Sequence, residues 1–184
     1  MRVITGKYKG RRFDVPRSFA GHPTTDFAKE SLFNIMRGLI KFDEVHALDL
    51  FAGTGAISIE LLSRGCTQVI SVEKDPHNFA LLRRFSAALS DPAWTILRDD
   101  AMHYIAHSAQ GFEVVFADPP YALPELPLLP KLVLESRLLT NDGIFVLEHG
   151  SRHDFSQSSH IFDHRRYGAV NFSFFRKTST IAKT

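Results

Sequence analysis

The chain has 184 residues, 44% hydrophobic and 23% charged, with a net charge of +2 and one cysteine. Those proportions fit a globular domain and exclude a disordered or collagen-like chain. No apolar run reaches the roughly 20 residues that span a bilayer, the opening "MRVITGKYKG" lacks the apolar centre of a secretory signal, and Cys66 alone makes no internal disulfide, which fits a reducing cytoplasm.

The charge is uneven. Residues 1–41 hold nine Lys or Arg (Arg2, Lys7, Lys9, Arg11, Arg12, Arg17, Lys29, Arg37, Lys41) against Asp14, Asp26 and Glu30, a net +6 that leaves −4 for the remainder. On charge alone the stretch reads equally as a solvated hairpin or as the footprint of a polyanionic partner. It begins as a short β-like hairpin around "GKYKGRRF" and continues as a helix from Asp26 to about Ile40. In that helix Ala28, Leu32, Ile35, Met36 and Leu39 share the face that docks on the body.

From residue 42 strands and helices alternate. "VHALDLF" (45–51) is strand-like, and a glycine turn leads into the helical "ISIELLSRG", which ends at Gly65. "TQVISVE" (67–73) is a second strand, after which Asp75 caps the helix "PHNFALLRRFSAAL" with Pro76 in its first turn. "WTILR" (94–98), the short helix "DAMHYIAH" and "FEVVFA" (112–117) continue the pattern. Beyond the proline-rich "ALPELPLLP" come the helical "KLVLESRLL", the strand "GIFVLEH", and two antiparallel strands turning about Tyr167-Gly168. This order predicts one α/β domain, a mostly parallel sheet wrapped on both faces, with residues 1–41 as a basic extension and 42–184 as the core.

The loop "DLFAGTGAISIE" (49–60) sets Gly53 and Gly55 between a strand and a helix, where glycine permits a tight turn and close approach of a ligand to the backbone. Ser58 stands at the third glycine position of G-x-G-x-x-G, so no complete pyrophosphate fingerprint is present. Glu73 ends the next strand, placed to accept hydrogen bonds from both ribose hydroxyls of a nucleoside-bearing ligand. Asp100 begins the helix after the third strand and reads either as an adenine-amine acceptor or as that helix's cap.

In "FADPPYALP" (116–124) an apolar strand runs into an acid, two prolines and a tyrosine. The fourth strand of such a sheet lies beside the first, which aims Asp118 at the ligand cleft. The prolines fix the carbonyls of Asp118 and Pro119 with little entropy to lose. A carboxylate and a rigid carbonyl suit a planar exocyclic amine, whose lone pair is delocalised until both N–H groups are held. Tyr121 supplies a flat surface for an unstacked base. At this level guanine and adenine amines both fit. His103 and His107 have i,i+4 spacing but no third metal ligand beside them, and no metal is expected.

The combination resembles the Rossmann-like S-adenosylmethionine-dependent methyltransferases, and D-P-P-Y resembles the amino-methyltransferase signature. More narrowly, the chain is similar to the bacterial 16S rRNA guanine-N2 methyltransferase family over nearly its whole length. "MRVITGKYKGRRF", "HPTTDFAKESLFNIM" (22–36), "VEKD" (72–75), "DDA" (99–101), "ADPPY" and "RRYG" (165–168) carry that similarity. The resemblance implies a seven-stranded sheet of order 3-2-1-4-5-7-6 with the last strand antiparallel. It implies that Asp49, Phe51, Ala52, Gly53, Thr54 and Gly55 cradle S-adenosyl-L-methionine and that Glu73 and Lys74 lie at the ribose. Asp100 and Ala101 then lie at the adenine, and Thr24, Thr25 and Phe27 close the site. Asp118, Pro119, Pro120 and Tyr121 form the catalytic segment, with Asp118 also beside the cofactor. Lys7, Lys9, Arg11, Arg12 and His22 face the RNA, although His22 stands where the family usually has arginine, making a contact there weaker or pH-dependent. The implied partner of a monomeric enzyme is 16S rRNA in the small subunit or its assembly intermediate. An adenine-N6 methyltransferase and a non-catalytic RNA-binding module are the alternatives.

Overall fold

A computed structural model describes residues 1–16 and 25–177. The elements are α1 (Asp26–Arg37), β1 (His46–Leu50), α2 (Ala56–Ser63), β2 (Gln68–Val72), α3 (Pro76–Leu89), β3 (Trp94–Leu97) and α4 (Ala101–His107). They are followed by β4 (Phe112–Ala117), α5 (Leu129–Glu135), β5 (Leu139–His149), β6 (Ile161–Tyr167) and β7 (Val170–Phe175). The strands form one sheet of order β3-β2-β1-β4-β5-β7-β6. Strands β1 to β5 run parallel, and β7 is antiparallel to both β5 and β6.

Side chains alternate between the two faces of each strand, so each strand feeds two cores. One core packs Leu32 and Phe33 of α1, Leu62 of α2 and Phe85 of α3 against Val114, Phe116, Val146 and Phe172. The other packs Ile105 of α4 and Val133 of α5 against Val115, Phe145, Leu147 and Phe175. Each large apolar side chain buried this way stabilises the fold by roughly 1.5–3 kcal/mol.

Local chemistry moves some boundaries from their sequence-based positions. Helix α1 stops at Arg37 rather than near Ile40, because Gly38 caps it and returns its N–H to the Ile35 carbonyl. Helix α5 begins at Leu129 and ends at Glu135, before "SRLL", and β5 starts at Leu139, four residues before Gly143. A register shift between Phe112 and Val114 absorbs the extra length of β5.

The N-terminal hairpin is short, with one bridge between Arg2 and Arg12 and a backbone ladder from Val3 to Arg11 and from Phe13 to Met1. It is not a free arm. The buried Glu60 carboxylate of α2 accepts the N–H groups of Ile4 and Thr5 at 2.9 and 3.1 Å, and Lys7 N–H donates to the Ser63 carbonyl at 2.7 Å. Gly6 has φ +89°, and a Cβ there would stand 1.8 Å from the Ser63 carbonyl oxygen. Helix α1 is pinned by the same group: Lys29, buried, donates to the Arg2 carbonyl at 2.6 Å and lies 3.9 Å from Glu60. Burial pushes the Lys29 ammonium below its ordinary pKa, against the pull of Glu60 and Asp26.

Candidate active site

The C-terminal ends of the parallel strands form one rim, and the residues predicted to carry chemistry gather there. The turn after β1 is tightly constrained. Phe51, Gly53 and Gly55 all have positive φ (61°, 53° and 74°). Gly55 is also the N-cap of α2, and a Cβ there would come within 2.5 Å of Leu82 Cδ2. Phe51, with no such freedom, holds a conformation that costs free energy, as residues beside functional sites commonly do.

Beneath this turn lies a buried polar chain that the glycine pattern did not reveal. Ser58, at the third glycine position, donates both its N–H and its hydroxyl to Asp49. Ser71 of β2 bonds Ser58 at 2.6 Å, and Trp94 Nε1 donates to Ser71 at 2.8 Å. Asp49 is thus a strut under the loop. Burial pushes its carboxyl up to about 7, an effect the Ser58 bonds oppose and Glu73 adds to.

Glu73 is placed as its position at the strand end predicts. One oxygen accepts Gly53 N–H and the other accepts Asp75 N–H, each at 2.8 Å, so the acid ties the glycine turn to the start of α3. Each carboxylate oxygen retains a further lone pair for a ligand hydroxyl. Asp100 is engaged as a cap: one oxygen takes Met102 N–H at 2.8 Å and His103 N–H at 3.3 Å, and the other faces Lys74 Nζ at 3.3 Å. Burial alone would raise its pKa; the Met102 bond and Lys74 outweigh that and hold it below the usual range. Ala101 is the buried first residue of α4.

Thr25 caps α1 through its hydroxyl and joins Thr54, Ala56, Met1 and Lys29 around a cavity of about 240 Å³ beside the glycine turn. Phe27 is 69% exposed and meets Tyr167 of β6 edge-on at 5.8 Å. A larger groove of about 640 Å³, lined by Ile105, His107, Leu132 and Arg137, lies on the opposite face between α4 and α5 and holds none of these residues. His103 and His107 stack on each other at 4.3 Å, exposed on α4. His22 and Thr24 lie outside the described residues.

On the other side of β1, β4 ends at Ala117 and delivers Asp118 to the rim, its N–H reaching toward the Leu50 carbonyl at 3.4 Å. Pro119 is buried and Pro120 exposed, with the Pro120 carbonyl accepting Leu123 N–H at 2.8 Å. Tyr121 stands 41% exposed above them. Burial first, then Glu148, then Asp49 hold Asp118 well above the usual carboxylate range. Glu148, near the end of β5, was not singled out from the sequence. The available signal was the one that identified Glu73, an acid at the carboxyl end of a predicted strand. Asp49, Glu73, Asp118 and Glu148 all lie on the same face of the sheet, by alternation from Ala47, Val69, Phe116 and Val146. Three acids near the strand ends, with Asp49 buried beneath the glycine turn, suit a cationic ligand that carries a nucleoside.

The basic residues divide. Lys7 is ion-paired with the buried Asp91 at 2.8 Å, and Arg11 donates to the Ala88 carbonyl at 2.6 Å. Lys9 and Arg12 are exposed and make no side-chain hydrogen bond or ion pair among the described residues.

Comparison with known proteins gives the family. The model of the family Cons_hypoth95 (conserved hypothetical protein 95) matches residues 1–176. The chain is 38% identical over 156 residues to "Putative rRNA methyltransferase YlbH" of Bacillus subtilis, covering 81% of this chain and 82% of that protein. It is 30% identical over 148 residues to ribosomal RNA small subunit methyltransferase D of Escherichia coli, covering 80% and 74%. Among solved structures, a hypothetical protein of Thermus thermophilus, TTHA0928, superimposes with a TM-score of 0.84 at 26% identity, covering 96% of this chain and 99% of that one.

Proposed function

Because the chain belongs to the Cons_hypoth95 family, we propose that it is an S-adenosyl-L-methionine-dependent rRNA methyltransferase that modifies the exocyclic N2 amine of a guanine in 16S rRNA. The names of its relatives support the rRNA methyltransferase part. The observation that carries the amine part is Asp118. It is held on a proline mount at the end of β4, beside β1 and across the rim from the glycine turn and Glu73.

Bound at the glycine turn, S-adenosyl-L-methionine supplies a methyl group made electrophilic by its sulfonium. The chain's own residues do the rest. Glu73 and the backbone after Phe51 hold the nucleoside and methionine parts, and the rim carboxylates favour the positive charge. Asp118 and the Pro119 carbonyl accept the two amine hydrogens, which turns the nitrogen lone pair out of the ring plane and toward the methyl group. Tyr121 offers its exposed ring to the base once it has left its stack. No covalent bond to the protein is needed, because the amine carries its own lone pair. The substrate is the small ribosomal subunit or its assembly intermediate, and the enzyme works as a monomer.

The test is incubation with methyl-labelled S-adenosyl-L-methionine and small-subunit particles that lack the modification, followed by nucleoside analysis. Label should appear as N2-methylguanosine. Label in N6-methyladenosine would reassign the base, and cofactor binding without any incorporation would leave an RNA-binding module.

A further inference from the structure

We propose that the end of β5, Glu148 with Gly150, positions the reacting groups: Glu148 holds the Asp118 carboxylate as proton acceptor for the amine, and Gly150 seats the ring of Tyr121. The inference rests on the amine methylation proposed above.

The geometry comes from strand register. Ala117 of β4 pairs with Leu147 of β5, and one step further sets Asp118 beside Glu148 on the face that carries Phe116 and Val146. Glu148 is only 2% exposed, and its register partner on β7 is the apolar Phe172. The Tyr121 hydroxyl lies 3.5 Å from Glu148 Oε1, so the acid faces both functional groups of the catalytic segment. Two residues on, a Cβ at Gly150 would stand 2.9 Å from Tyr121 Cδ2 and 3.2 Å from Cε2. The ring occupies space that only glycine leaves open. From the opposite face His149 fixes this end of the strand: its Nδ1 donates to the Gly150 carbonyl at 2.9 Å, and Ser173 bonds its Nε2 at 2.8 Å.

The chemistry needs such a neighbour. As the N2–CH3 bond forms and the S–CH3 bond breaks, the positive charge passes to N2, which must lose one of its two hydrogens. That proton goes to the Asp118 carboxylate. A carboxylate in water is a weak base; one crowded by burial and by a second negative group is a stronger one. Among the described residues the charged groups acting on Asp118 are Glu148 from β5 and Asp49 from β1, and those acting on Tyr121 are Glu148 and Asp118. Asp49 is already engaged by Ser58. Glu148 acts on Asp118 and on Tyr121 alike and lies 3.5 Å from the Tyr121 hydroxyl, so it is the neighbour that sets the acceptor.

The experiment uses Glu148→Gln, read first by carboxyl-carbon NMR of the cofactor-free protein. Removing the negative neighbour should lower the Asp118 midpoint by about one pH unit or more, and Glu148→Asp should return it toward wild type. In the transfer assay the acid limb of kcat should move to lower pH and the plateau should fall about tenfold or more. Cofactor Kd should stay within about threefold. Gly150→Ala should leave the Asp118 midpoint in place yet reduce kcat through the displaced tyrosine. An unmoved Asp118 midpoint in Glu148→Gln overturns the inference, as does a cofactor Kd raised more than about tenfold. If the wild type methylates no guanine, the proposed function fails, while the NMR measurement still decides whether Glu148 governs Asp118.

Discussion

The rim has two halves that use the same residue types in opposite ways. On the β2 and β3 side, Glu73, Asp75 and Asp100 each accept backbone N–H groups of the turn or helix beside them. Their charges are satisfied before any ligand arrives, and they double as the braces of the loops they sit in. On the β4 and β5 side, Asp118 follows the Ala117–Leu147 pair, one step past the strand, and burial and Glu148 drive it above the normal carboxylate range. Crowding like charges in a buried place costs stability, so it persists where function uses the raised basicity. An acid at a strand end therefore does not define its own role. What it faces decides whether it binds or accepts a proton.

Breaking the reactive half should give the largest effect. Asp118→Ala should reduce single-turnover methyl transfer by about 10²–10⁴-fold. Cofactor Kd measured by calorimetry should change by no more than a few-fold. A large loss of cofactor affinity would move Asp118 into the binding half and erase the distinction. Breaking the braced half should give the reverse signature. Glu73→Ala leaves Gly53 and Asp75 N–H groups without their acceptor, and should weaken cofactor binding by about 10–100-fold. The acid limb of the pH–rate profile should then stay in place, because Glu73 is not among the groups acting on Asp118. If that limb shifts with Glu73→Ala, the two halves are electrostatically one site.

The braced half was the more legible of the two in the sequence. Strand, glycines and a strand-end acid are local features, and Glu73 and the capping Asp75 and Asp100 stand where spacing alone puts them. The order β3-β2-β1-β4-β5-β7-β6 follows from the alternation together with the family resemblance. Three features stayed hidden because they depend on contacts between distant segments. Glu148 matters only once β5 is known to lie beside β4. Ser58 reads as a missing glycine until Ser71 and Trp94 arrive from β2 and β3 to complete its hydrogen-bond chain. Lys29 counts among the charges of the basic N-terminal stretch, yet Glu60 and the Arg2 carbonyl take it into the core. Phe27 shows the same limit: its position in the N-terminal block is local, but its contact with Tyr167 joins residues far apart in the chain.

The smallest effect expected concerns the basic hairpin, where the division into occupied and available groups recurs. Lys7 pairs with Asp91, whose side chain is 4% exposed, so its positive charge is partly spent within the protein. Hydrogen bonding to Asp91 leads the causes that raise the Lys7 pKa, against the effect of burial. Lys7→Ala leaves that carboxylate with Tyr8 and the Ala93 N–H. It should cost about 1 kcal/mol, or a Tm lower by about 2–4 °C. Lys9→Ala with Arg12→Ala removes two exposed charges that brace nothing among the described residues, and should leave Tm unchanged. If those two side chains meet phosphates, the same double variant should weaken particle binding and flatten the slope of log K against log salt by about 1.5. Lys7→Ala should flatten it less, since part of its charge already belongs to Asp91. Equal slopes for the two variants would mean that the Asp91 pair opens when RNA binds, and unchanged slopes for both would reduce the hairpin to a brace for α2 and α3.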